Sequence, residues 1–161
     1  MFENEAAINQ FLRDGLQRVL ADIPEHLMLE RPPGDGHPPL WVLGHLAICA
    51  ELGLGLCGQP LAHPEWMGAF GPGSCDEVAD ADRVAPRTLV DAVDQGYARL
   101  IAAGRGVPAA ELAGPHGVAL LDGSAIRTRG ELLAHLLTSH FAFHLAQLSQ
   151  WRRAAGHLPL F

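Results

Sequence analysis

Lysine is absent from this chain. All eleven cationic side chains are arginine, set against eighteen acids, and the formal net charge is −7. With no basic run anywhere, a nucleic-acid surface and an anchor on anionic membranes are not expected. Cysteine is scarce: Cys49, Cys57 and Cys75 show neither an even count nor a C-x-x-C spacing, which fits a reducing compartment rather than a disulfide scaffold. The opening residues, MFENEAAINQ, carry acids where a secretion signal has a basic region, and they lack an apolar core. Export is therefore not expected, and a cytoplasmic location is. No apolar run reaches the ~20 residues of a bilayer span, because charges, Gly or Pro interrupt each candidate. Nucleotide and NAD readings rank low, since no P-loop or dinucleotide fingerprint occurs, and Ser124, Ser139 and Ser149 lack the G-x-S-x-G context of a hydrolase triad.

What is present is a helical pattern. A length of 161 residues with 48% hydrophobic content suits a single domain, 1–161, with one core. The first helix is expected over about 3 to 22, with Ile8, Phe11, Leu12, Leu16 and Val19 inward and Asn9, Arg13 and Gln17 largely off that face. Glu30 to Pro39 is turn-rich. The second helix, about Pro38 to Leu56, puts Trp41, Cys49, Leu52 and Leu56 within about 40° of His45, while Leu43 and Leu54 point the opposite way. A helix apolar on two sides is either central in the fold or part of a subunit contact. Residues 58 to 85 read as a long loop over one end of the core, carrying Trp66, Met67 and Phe70. A third helix is expected over about Pro86 to Ala103, with Leu89, Val93, Tyr97, Leu100 and Ile101 inward and Gly104 and Gly106 ending it. Residues 107 to 127 read as an irregular loop or a short hairpin. The last helix, Thr128 to Gly156, opens with a Thr128/Glu131 capping box and stops at Gly156 before Pro159. Four such helices make an all-α four-helix bundle the natural solution.

Of the nine histidines, three fall on core stripes: His45, His140 and His144. A buried imidazole nitrogen without a partner costs roughly 1–3 kcal/mol, and a metal ion is one such partner. Residues i and i+4 on a helix can reach one ion, so His140 and His144 suit a shared ligand, with His45 opposite them. The alternative is three core histidines satisfied by carboxylates, carbonyls or one another. Gln147 lies on the stripe of His144, where it can orient a ligand or bond between helices. Tyr97 reads as a proton donor toward the site or as a core tyrosine reaching the rim. Cys49, one turn after His45, reads as a fourth ligand or as a small core residue. His135, almost opposite His140 on a regular helix, reads as surface or interface. His116, just before the last helix, is a candidate for the pocket mouth.

The stretches WVLGHLA, from Trp41 to Ala47, and HFAFHLAQLSQWRRAAGHLP, from His140 to Pro159, resemble the DinB/YfiT-like superfamily. That resemblance implies a four-helix bundle, often dimeric, with a divalent metal held by His45, His140 and His144 and a frequent family glutamine at Gln147. The chain departs from the H-R-G-Q of many members in reading His144, Leu145, Ala146, Gln147, which leaves ligation untouched and weakens the inference to a subfamily or substrate. The resemblance further implies a metal-dependent enzyme of the thiol S-transferase, isomerase or hydrolase type. Zinc or nickel is the expected ion, with a low-molecular-weight thiol such as mycothiol or bacillithiol as co-substrate. An open three-His site would lower the pKa of a bound water or activate a thiolate acting on a small molecule. The other reading is a non-catalytic, metal-bound structural or binding protein associated with stress. A homodimer is expected from the resemblance and from Leu43 and Leu54.

Overall fold

The apolar stripes become four long helices in the computed structural model, which describes residues 1–34 and 36–160 and Ala81 by its backbone alone. They are α1 (Glu3–Leu20), α2 (Pro39–Leu56), α3 (Pro86–Gly106) and α4, which runs over 129–154. The four pack as a bundle, α2 along α3 and α1 along α4. Asp35, in the turn-rich stretch, and Phe161 lie outside the described residues.

The helix α2 is the centre. Leu43 and Leu54 are 0% and 1% exposed, so its second apolar side is covered within the chain, and the homodimer expectation draws no support from them. By length and composition α2 is apolar enough to cross a membrane, contrary to the expectation that no run is. Of that stretch, 83% is buried inside the fold, as in a core helix.

The phase of α1 differs from the expected one by about one residue. Leu12, Leu16 and Val19 are buried as expected, but Ile8 and Phe11 are 48% and 66% exposed, while Asn9 is fully buried. The cause lies on α4. That helix begins at the expected Thr128/Glu131 capping box and ends near Gly156, whose φ is +96°. Between Arg129–His135 and Phe141–Ala154, however, Leu136–His140 form a π-helical turn. Hydrogen bonds from i to i+5 take up one extra residue and leave carbonyls of the regular ladder without their usual donor. Asn9 Nδ2 donates to Leu137 O at 2.9 Å, and Thr138 Oγ1 donates to Ala134 O at 2.6 Å. Asn9 faces inward because that carbonyl needs a donor.

Residues 58–85 do form a long connection, and it is pinned to the bundle. Glu51, 5% exposed on α2, accepts from the backbone N–H groups of Ala62 and His63 and from His63 Nδ1. Asp76 takes a paired contact from Arg31 and a bond from His37 Nδ1 at 2.6 Å, tying this connection to the one before α2. Trp66 and Phe70 are buried. Residues 107–127 do not form the short hairpin. Among the described residues there is no strand, only an isolated antiparallel bridge between Pro115 and Thr128, because helical turns at Ala109–Leu112 and Ala119–Leu121 take up the backbone groups. Helix α3 continues through Gly104 to Gly106; Gly104 is buried, facing the Phe2 ring.

Asn9→Leu should destabilise the protein by about 1–3 kcal/mol, since it leaves the Leu137 carbonyl buried without a donor. Denaturant unfolding measures this, and a wild-type midpoint would show that the π turn does not depend on Asn9.

Candidate metal centre

The rings of His45, His140 and His144 meet between α2 and α4. Their centroids stand 5.3 Å apart for His45 and His140, 4.7 Å for His45 and His144, and 4.6 Å for His140 and His144. Two of the three have fixed tautomers. His45 Nδ1 donates to Phe70 O at 2.7 Å, which leaves Nε2 as a lone pair. His144 Nδ1 donates to Gln147 Oε1 at 2.8 Å, with the same result. Gln147 thus orients an imidazole, one of the two roles open to it in the sequence. His140 Nδ1 is buried and has no hydrogen-bond partner among the described residues.

The carbonyl that orients His45 arrives through a close approach. Phe70 lies across Gly44, where a Cβ would stand only 2.3 Å from the ring, so glycine at 44 lets the connection reach the histidine next to it. On the other side, Trp41 stacks on His45 at 4.8 Å and His37 stacks on Trp41 at 4.2 Å.

Burial makes the cluster neutral. Desolvation, then the neighbouring His144, pushes His140 down to about 3. Desolvation, then His45, lowers His144 to about 4. Desolvation also lowers His45, against the raising effect of its Phe70 bond. Neutral imidazole is the form that binds metal, so the donor set fits a divalent ion. One group of potential donor atoms, from His45, Cys49 and His140, lies within 4.8 Å of one another and could hold a metal ion; its third member is Cys49, where the expected trio has His144. Cys49 Sγ is 3.5 Å from His45 Nε2, and burial pushes its thiol up to about 12.

Other readings need correction. His135 is not turned away from His140: their rings are 5.6 Å apart, and both line one cavity. On an α-helix five residues leave a side chain about 140° out of line, whereas the i to i+5 repeat of the π turn stacks it near the same side. His135 Nδ1 is 2.7 Å from Ser139 Oγ. Tyr97 does not reach the rim. It is fully buried, its hydroxyl has no partner among the described residues, and burial raises its pKa, with the Cys49 thiol adding to the effect. His116 stays away from this cavity, held by Val118 N–H into Nδ1 and by its own Nε2 bond to Ile126 O.

The cavity that opens on the cluster has a volume of about 610 Å³. His45, Cys49, His135 and His140 stand in its wall, and leucines from α2, α4 and the 107–127 connection supply half of the remainder. The four α2 residues expected to share a face with His45 all line it: Trp41, Cys49, Leu52 and Leu56.

The family model of the DinB superfamily matches residues 9–148, a span that runs from within α1 to within α4 and includes all three histidines. No curated protein and no solved structure matches the chain.

Two outcomes follow from this geometry. Gly44→Ala should lose about 1–3 kcal/mol through overpacking against Phe70; a melting temperature equal to the wild type's would show that the ring does not stand there. The pH dependence of the metal-free protein has a definite sign. His140 and His144 have folded pKa values of about 3 and about 4 against 6.5 for the free side chain, so between those values the unfolded chain binds more protons. Stability should therefore be full above about pH 6.5 and fall as pH drops toward 4, by on the order of a few kcal/mol. Chemical unfolding of chelator-treated wild type and a His140→Phe/His144→Phe double variant checks this, and equal slopes in that window would contradict it.

Proposed function

The chain belongs to the DinB superfamily, and from that premise we propose that it is a metal-dependent enzyme acting on a small molecule, with His45, His140 and His144 as ligands. The observation that carries this reading is the buried His140 Nδ1, left without a protein partner beside two imidazoles whose lone pairs are fixed by Phe70 and Gln147. A fold that provides partners for two buried rings, but not for the buried Nδ1 of the half-buried third, leaves a polar atom for which a metal ion is the natural complement.

A bound divalent cation supplies Lewis-acid chemistry, making a coordinated thiol or water more acidic at neutral pH. The protein's own residues supply the rest. Phe70 O and Gln147 hold the imidazoles in the ligating tautomer. The wall is largely apolar, and His135, paired with Ser139, stands in it as a group able to take or give a proton. Tyr97 is not assigned a catalytic part, because its hydroxyl is sealed in the core. The class of reaction we favour is thiol S-transfer or isomerisation, with hydrolysis next, and zinc or nickel as the ion. The non-catalytic alternative would be favoured by a sealed site, and the cavity reaching His45 and His140 favours catalysis. Free thiols at Cys49, Cys57 and Cys75 agree with the reducing cytoplasm to which we assign the protein.

The test is metal-induced stabilisation. A ligand that binds only the native state stabilises it by about 2.7 kcal/mol at a hundred times its dissociation constant. Zinc should raise the melting temperature of the wild type and do so much less in His45→Ala, His140→Ala and His144→Ala. Cys49→Ser should keep most of the effect, because three imidazoles carry the binding. Equal shifts in all five proteins would remove the trio from the ligand set.

A further inference from the structure

Among the described residues, the polar side chains of the cavity beside the histidines gather at one end. Among its described lining residues there is no carboxylate, carboxamide, guanidinium or hydroxyl. The Trp41 indole N–H is already committed to Ser74 Oγ, and His45 Nδ1 to Phe70 O. The side-chain polar atoms left for a ligand belong to Cys49, His135 and His140, together with the remaining nitrogen of His45, all at the junction of α2 and α4. From there the wall is hydrocarbon, including Leu52, Leu56, Val118, Leu121, Leu132 and Leu136. At about 610 Å³ the space suits a small-molecule ligand. Hydroxyls carried into it would lose their water without a protein partner.

We propose that this site binds a small amphiphile, an alkyl or aryl body with a single metal-seeking head group, and rejects ligands with a sugar-like body. The inference rests on the metal reading above for the head group and on the cavity wall alone for the body. The head lies against the histidine cluster, and the body extends along the leucines toward Leu121. A polar thiol co-substrate therefore does not fill this cavity; the apolar reaction partner does.

Calorimetric titration of the zinc-loaded full-length protein with straight-chain hydroxamates, from acetohydroxamate to octanohydroxamate, tests both parts, and gluconohydroxamate supplies the same head on a polyhydroxyl body. Affinity is expected to rise about fourfold per methylene until the cavity is filled, the increment for burying that group. Gluconohydroxamate should bind no more tightly than acetohydroxamate. Leu121→Asp, in a surface turn at the cavity wall, should flatten the rise while leaving acetohydroxamate binding unchanged, which also reports that the variant is folded. A flat series in the wild type, or tighter binding of the polyhydroxyl compound, would overturn the apolar body. Equal affinities in zinc-loaded and chelator-treated protein, with the rise intact, would uphold the apolar body and overturn the metal-seeking head, so the metal reading would fail separately.

Discussion

An imidazole buried between apolar helices has two nitrogens, and each must find a partner or be paid for elsewhere in the fold. That constraint organises the connections of this bundle. His45 is satisfied by a backbone carbonyl at the end of a buried loop segment, and His144 by an amide one turn along its own helix. The loop reaches His45 only because position 44 has no side chain, and it stays there because Glu51 and Asp76 clasp it to α2 and to the preceding turn. With those partners in place, His140 Nδ1 is the buried imidazole nitrogen left without a hydrogen bond among the described residues. The long connection between α2 and α3 thus has a definite task, which is to set an imidazole's tautomer and close one side of the cluster.

A second constraint acts on α4. Its first half presents Leu132 and Leu136 to the cavity and Leu133 and Leu137 to the core, while its second half presents His144 and Leu148 inward. The π turn reconciles the two phases by absorbing one residue. It brings His135 to the cavity wall and leaves a backbone acceptor, Leu137 O, that a donor from another helix meets. Asn9 is that donor. A single amide on α1 is thereby coupled to the geometry of the wall on the far side of α4, through the helix backbone rather than through any contact with the site.

Much of this was legible in the residues. The capping box at Thr128 and Glu131, the phase of α2 around His45 and the stop at Gly156 are local signals, and the structure contains all three. The π turn left no mark in the hydrophobic pattern, because a continuous apolar stripe with one inserted residue reads as an ordinary long helix. Its one trace was Asn9, a polar residue at i−3 from Leu12 and i−7 from Leu16, which could have been read as a buried donor instead of as a break in the stripe. Gly44 inside an apolar helix was a similar trace of a close approach. The pairing of Glu51 with His63 and of Asp76 with Arg31 and His37 depends on where distant segments lie after folding, and no spacing encodes it. Of the two readings of residues 107–127 the irregular loop holds and the hairpin does not, for a local reason: Ser124 Oγ accepts from Ile126 N–H, and His116 accepts from Val118 N–H, so side chains take backbone donors that a ladder would need.

The histidine cluster is the proposed metal centre. X-ray absorption at the zinc edge of the stoichiometrically loaded protein addresses it directly, since imidazole rings give a multiple-scattering pattern distinct from that of water or carboxylate. The expected spectrum contains three imidazoles at about 2.0–2.1 Å, and a sulfur at about 2.3 Å would add Cys49 to them. A spectrum of oxygen neighbours with no imidazole scattering would contradict the claim, and the three rings would then be core residues packed against one another.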